Sequence, residues 1–351
     1  MFSMLINFNK NSERCSLFLF ALLLSMLALS GCEPNETNAK QVVFSGPIMG
    51  TEYRVTVITQ GERDHDYLEQ VIVDTMALVN SSMSNYLDNS EITQFNNLPA
   101  NQAQMLSPDF TEVITEALEI SKISEGAFDV TLARAIDAWG FGPDGEITQR
   151  PTQEQLDALK ASTGYDKLRL KGRSLEKRVD DVEISLSAIA KGYAVDKVAI
   201  ALNAIGLSDY LINIGGELRA SGRSIDGRVW RVGIEKPHIL GGIQEVVELD
   251  NSSIATSGDY RNYLTIDGAQ FSHMIDAKTL KPVYHKLALV SIISERASTA
   301  DALATAMMAM DETRAIEFAQ NNDLAAYFII RGDQPENFEV KMTEKFKAYL
   351  Q

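Results

Sequence analysis

Asp301 and Thr305 stand four residues apart in Ala300-Asp-Ala-Leu-Ala-Thr305, a stretch that reads as helix. Side chains at that spacing share one helix face, so a carboxylate and a hydroxyl there can hold one hard cation. Mg²⁺ suits such a pair, because it takes oxygen ligands, keeps waters and draws the rest from phosphate. The same residues also fit a plain helix start: Ser298-Thr-Ala-Asp301 has the spacing of a capping pattern, and acids favour first turns. Lys191 lies in Ser187-Ala-Ile-Ala-Lys-Gly-Tyr-Ala-Val-Asp196, after the extended run Val182-Glu-Ile-Ser-Leu. A strand running into a helix start offers N–H groups to a phosphate, and Lys191 in the first turn can add positive charge. An ordinary strand-to-helix junction with a solvated lysine fits that pattern equally. Gly192 inside this helix is unfavourable by about 1 kcal/mol, which points to close packing against a neighbour. His273, one of four histidines, can take a proton near neutral pH and is a candidate general base, although a lone histidine in a hairpin is more often structural or exposed. Asp276 follows three residues later; in a strand it faces the other side and need not orient the ring. Asn213-Ile-Gly-Gly216 ends a strand, where glycines permit close backbone approach or simply a turn. Gly126-Ala-Phe-Asp129 and Ala138-Trp-Gly-Phe-Gly142 place aromatics and glycines on loops, suited to a flat ring system or to a core corner.

The elements that must position these groups follow from periodicity and caps. Val42-Val-Phe44 and Glu52–Ile58 read as strands. Leu68, Ile72, Met76, Val79 and Met83 recur at helical spacing and form one buried stripe. Ser107-Pro108 opens a helix that ends before Gly126, and Thr152-Gln-Glu-Gln155 is a capping box for a helix ending near Gly164. Strands are expected at 166–170, 175–179 and 182–187, then a helix at about 189–204, then strands at 209–214, 229–235 and 245–249. Tyr263 to Ile275 reads as a hairpin around Asp267-Gly268. A strand at 287–293, helices at 299–310 and 312–320, and strands at 325–330 and 338–342 close the chain. Strands and helices mix without regular βαβ alternation, so the expected class is α+β with largely antiparallel sheet.

The ends and the charge set further bounds. Lys10 and Arg14 precede an apolar run from Leu17 to Leu29, followed by Ser30-Gly31-Cys32. That reads as an export signal, with the small residues of a lipobox before a cysteine that would carry lipid and tether the protein without spanning the bilayer; a plain signal peptide with an incidental cysteine fits the same residues. The expected organisation is a signal at 1–31, lipidated Cys32 with a polar tether to residue 42, and one catalytic domain over 43–351. Cys15 leaves with the signal, so the mature chain has no thiolate nucleophile and no cysteine for a disulfide or zinc site. The net charge of -16 argues against nucleic acid as a partner and means that any anion site must be built locally.

Nine blocks in order carry a resemblance: Met49-Gly-Thr51, Met83-Ser-Asn-Tyr86, Gly126-Ala-Phe-Asp129, Ala190-Lys-Gly-Tyr-Ala-Val-Asp196, Asn213-Ile-Gly-Gly216, Trp230-Arg-Val-Gly-Ile-Glu-Lys-Pro237, Ser257-Gly-Asp-Tyr260, His273-Met-Ile-Asp276 and Ala300-Asp-Ala-Leu-Ala-Thr305. Together the chain resembles the ApbE family of bacterial flavin transferases over nearly all of its mature length. The resemblance implies a single α+β domain related to the T-fold. It implies Mg²⁺-dependent transfer of FMN from FAD, the substrate, to a threonine of an acceptor flavoprotein, typically an extracytoplasmic subunit of a redox-driven pump, with AMP released. Carried over residue by residue, Asp301, Thr305 and the Ala188 carbonyl match metal ligands, with Ala304 close to that shell. Met49, Tyr86, Ala127, Phe128, Asp129, Ser185 and Lys191 match FAD contacts, and His273 matches the base for the threonine. Ser185 stands where many relatives carry an acid, Ala277 where a proline is usual, and Ala304 has no side-chain ligand to offer. FAD hydrolysis to FMN and AMP, or FAD binding without chemistry, are the other readings such a site allows. The implied location is the periplasmic side of a bacterial membrane, the inner rather than the outer.

Overall fold

The computed structural model describes residues 39–237, 241–259, 263–334 and 337–350. The expected signal, Cys32, the tether up to residue 38 and Tyr260 lie outside the described residues. An eight-stranded sheet forms the frame, with neighbours in the order Ala39–Ile48, Thr51–Gln60, Tyr210–Ile214, Glu217–Ser221, Ser253–Gly258, Leu287–Ser294, Ala325–Arg331 and Phe338–Met342. From Thr51–Gln60 onward each neighbouring pair is antiparallel. The expected α+β class holds. The first strand begins at Ala39, ahead of the Val42 read from sequence; its polar opening residues join the sheet, and the Thr59 hydroxyl donates to Lys40 O.

Three helices carry the core. His65–Met83 buries Leu68, Ile72, Met76, Val79 and Met83, the stripe read from spacing. It packs on Ala190–Ala204, here the lysine helix, which in turn packs on Ala297–Met308, here the aspartate helix. The lysine helix lies on strands Tyr210–Ile214 and Glu217–Ser221, and the aspartate helix on Ser253–Gly258 and Leu287–Ser294. Ile212, Ile214, Val195, Val198, Leu303 and Met307 meet in one apolar cluster. Burying such side chains is worth roughly 1.5–3 kcal/mol each, which fixes the two helices against the sheet end that carries the site. Smaller units complete the fold: a three-stranded sheet of Ala103–Met105, Ser174–Lys177 and Leu168–Lys171, the pair Trp230–Glu235 with Ile243–Leu249, and the hairpin Tyr263–Ile266 with Ala269–Ser272. Asp267 and Gly268 both take positive φ at the hairpin tip, as that dipeptide suggested.

Several local readings change. Residues 182–186 take no regular secondary structure and Ser187 begins a turn, so the expected strand at 182–187 is absent from the described residues. Side chains replace the ladder: Asn96 both donates to Ile184 O and accepts from Ile184 N, Asn85 also donates to Ile184 O, and Ser185 N donates to Val130 O. The Thr152 capping box is present, but its helix ends at Lys160. The aspartate helix starts at Ala297, two residues early, and Ser298 does not cap it. Instead Asp196, reaching across from the lysine helix, accepts from Ala297 N and Ser298 N at 3.0 Å each. Arg219 Nη1 holds the same carboxylate at 2.8 Å.

Gly192 has the neighbour its cost implied. A Cβ there would lie 2.3 Å from Ala297 O and 2.6 Å from Ala297 C. The two helices cross at this glycine, at the start of the aspartate helix. Gly192→Ala forces that backbone away, and overpacking of this kind costs about 1–3 kcal/mol. We expect Gly192→Ala to lower the thermal midpoint by several degrees and to reduce activity with it. An unchanged midpoint by calorimetry would mean that the crossing yields without cost.

Candidate active site

The site lies at one end of the sheet. There the Met49-Gly50 turn, the Gly215-Gly216 turn and the end of Ser253–Gly258 face the first turns of the lysine helix and the aspartate helix. Together with the 84–88 and 127–150 segments they enclose a cavity of about 2290 Å³. Ordinary small-molecule pockets hold roughly 300–1,000 Å³, so this space has room for more than one ordinary small ligand. Met49, Tyr86, Ala127, Phe128, Asp129, Ser185, Ala188, Lys191, His273, Asp301 and Thr305 all line this one space. Residues spread over 257 positions of sequence thus converge. Ala304 does not line it; it is fully buried in the apolar cluster behind.

The charged centre is compact. Asp301 is 3% exposed, and its Oδ2 accepts from Gly192 N at 3.0 Å. Lys191 Nζ stands 3.8 Å from that oxygen and 3.3 Å from Glu217 Oε1. Burial pushes the Asp301 carboxyl above its usual range, against the pull of Lys191 and the Gly192 N–H. Burial pushes Glu217 up to about 7, opposed by Lys191 and reinforced by the charge of Asp301. Burial alone would lower Lys191, but Asp301 and Glu217 outweigh it and hold the ammonium above the ordinary lysine range. Thr305 Oγ1 lies one turn along from Asp301, 3.3 Å from Ser257 Oγ. The donors around this centre are all oxygen, the set a hard cation takes. Glu217 Oε2 is buried with no hydrogen-bond partner among the described residues, an oxygen still able to take a cation or donor. The residues present therefore fit a magnesium centre.

The N–H groups at the start of the lysine helix are less available than its sequence implied. Ile189 N and Ala190 N both donate to Leu186 O, and Gly192 N to Asp301. Acids on the cavity wall also outnumber Arg134, Arg150 and Lys191. A bound anion here needs a cation more than it needs the helix start.

The aromatic wall divides into two roles. Trp139 is core: buried, its indole N–H donates to Leu280 O. Phe141 faces the cavity and meets His273 edge-on, ring centroids 6.3 Å apart. Tyr86 is 67% exposed on the wall, and its hydroxyl donates to Phe141 O at 3.4 Å. Ala127 and Phe128 are buried beneath. Asp129 commits its carboxylate to Thr131 N, the Thr131 hydroxyl and Tyr165 N, so it shapes the wall from behind. Ser185 Oγ lies 3.1 Å from Ser187 Oγ. Asp276 accepts from Lys278 N and Thr279 N, and His273 lies between strands Ala269–Ser272 and Ile275–Asp276 rather than within the hairpin expected to run to Ile275.

Three wall residues had no role from sequence. Glu217 follows the Gly215-Gly216 turn directly, and an acid at the first position after such a turn is the signal that could have found it. Asn213 accepts from Gly216 N and shapes that turn. Ser257 gains meaning only once Thr305 lies opposite it.

The model of the ApbE family matches residues 49–328. A relative from Vibrio cholerae, "FAD:protein FMN transferase", is 38% identical over 93% of this chain and 97% of its own. One of the same name from Haemophilus influenzae is 39% identical over 92% and 94%. Among solved structures, "Flavin Transferase ApbE from Vibrio cholerae" superposes with a TM-score of 0.83 at 37% identity, covering 89% of this chain and all of that one. The apo form of the Pseudomonas stutzeri flavinyl transferase ApbE gives 0.82 at 35% identity, covering 89% and 97%.

Proposed function

This chain belongs to the ApbE family, and on that premise we propose that it is an FAD:protein FMN transferase that moves FMN from FAD to a threonine hydroxyl of an acceptor flavoprotein. The observation that carries this reading is the convergence of eleven sequence-matched residues on one large cavity. Asp301, Thr305 and the Ala188 carbonyl would hold Mg²⁺, with the FAD phosphates completing its shell. Bound there, the metal would neutralise the pyrophosphate and stabilise the charge of phosphoryl transfer.

The chain's own groups account for the rest. Tyr86 and Met49 offer aromatic and apolar surface to the flavin, with Phe128 packed beneath them. His273 takes the threonine proton as the threonine oxygen bonds to the FMN phosphorus. The bond from that phosphorus to the bridging oxygen breaks, and AMP leaves with the electron pair. The test is incubation with FAD and Mg²⁺, with and without an acceptor. Covalent FMN on the acceptor supports transfer; free FMN plus AMP in both arms would mean hydrolysis; unchanged FAD would mean binding alone.

Lys191 is the cation nearest to the acids of the metal site and is our candidate for the phosphates. Lys191→Ala is expected to weaken FAD binding, most at low salt where its charge is least screened. Unchanged FAD affinity at low salt would remove the lysine from the phosphate site.

We also propose that the enzyme is lipid-anchored through Cys32 on the periplasmic side of a bacterial membrane. The support is Leu29-Ser-Gly-Cys32 after a basic start and an apolar run. Cys32→Ser is expected to leave the chain unacylated, as an uncleaved precursor or a released form. Continued labelling of that variant by a palmitate analogue would refute the site.

A further inference from the structure

Glu217 is a cavity carboxylate with one buried oxygen unpartnered among the described residues. It opens strand Glu217–Ser221 and is 4% exposed. Its Oε1 faces Lys191 Nζ at 3.3 Å, while its buried Oε2 accepts no hydrogen bond from the described residues. Asp301, 3% exposed, shares the same ammonium at 3.8 Å. One cation thus serves two buried carboxylates at distances beyond the roughly 2.7–2.9 Å of a tight charge-assisted bond. Buried carboxylate oxygens normally find donors. Lys191 offsets the charge of the pair without satisfying its oxygens.

We propose that Glu217 is a further member of the cation site, and that the Lys191 ammonium is a resident counter-ion displaced when a divalent cation enters beside Glu217 and Asp301. This inference rests on reading the cavity as a magnesium centre. Two carboxylates and the hydroxyls of Thr305 and Ser257 supply oxygen alone, as Mg²⁺ requires. Metal and ammonium together would set three positive charges against two negative ones, so the lysine yields. Released, its flexible stem turns toward the space where the phosphates bind. Metal and FAD then assist each other: the metal frees the lysine, and the lysine grips the phosphate. Such coupling is reciprocal.

The test titrates Mg²⁺ alone into the FAD-free protein at pH 8, read by calorimetry and by the shift of the thermal midpoint with Mg²⁺. Lys191→Met removes the competitor and is expected to tighten Mg²⁺ binding at least tenfold. Lys191→Arg places a fixed fork against both carboxylates and is expected to weaken it at least threefold. Glu217→Gln is expected to weaken it at least tenfold. Midpoints without Mg²⁺ report folding, and if Lys191→Met does not fold, Lys191→Arg decides. Equal Mg²⁺ affinity in wild type and Lys191 variants would overturn the displacement, and unchanged affinity in Glu217→Gln would remove Glu217 from the site. Wild-type protein that takes up no Mg²⁺ without FAD would also overturn it, since the lysine would have nothing to exchange with. Magnesium-dependent FMN transfer persisting alongside any of these results leaves the functional reading standing and removes this inference alone.

Discussion

Asp301→Ala is expected to abolish FMN transfer, by on the order of 10³-fold or more, with the fold intact. That loss is about 4 kcal/mol of transition-state stabilisation, the several kcal/mol that a metal clamp on a phosphoryl group supplies. Asp301 carries it because it is the buried acid of the aspartate helix, one turn before Thr305, at the cavity end of the sheet. The substitution has one structural side effect: Gly192 N loses its acceptor. Asp301→Asn separates the two, because an amide oxygen can still accept that N–H while the charge is gone. Both variants should be inactive, with Asp301→Asn close to wild type in thermal midpoint. Full activity of Asp301→Ala in chelator-treated buffer would refute the metal assignment.

His273→Asn is expected to slow transfer by roughly 100-fold or more, the usual worth of a positioned general base. His273 lies on the wall beside Phe141, on the segment after the Tyr263–Ser272 hairpin, and its assigned partner is the acceptor hydroxyl rather than the flavin. FAD affinity should therefore survive. The loss should appear in turnover of the acceptor and be absent from equilibrium FAD binding. Equal losses of rate and FAD affinity would make the histidine structural.

Much of this was legible in the sequence, for physical reasons that differ by element. The His65–Met83 stripe and the Thr152 capping box are local codes, and both appear where spacing put them. Gly192 announced a close crossing because glycine within a helix needs a reason. The failures share another cause. Ser298 looked like a cap, but Asp196, 101 residues away from Ala297, takes that role. Residues 182–187 looked like a strand, but Asn85 and Asn96 satisfy their backbone from another part of the chain. Glu217 has only its place after the Gly215-Gly216 turn to mark it in sequence, and its role becomes specific once Lys191 meets both it and Asp301 in space. Local spacing cannot report partners that tertiary structure brings in.

The most direct measurement is the intact mass of an acceptor flavoprotein after incubation with this enzyme, FAD and Mg²⁺, with AMP quantified in parallel. The expected result is an acceptor heavier by one FMN phosphoester, one AMP per FMN attached, and neither product when the acceptor threonine is replaced by alanine and metal is chelated. FMN attached without stoichiometric AMP, or attached equally well in chelator, would contradict it.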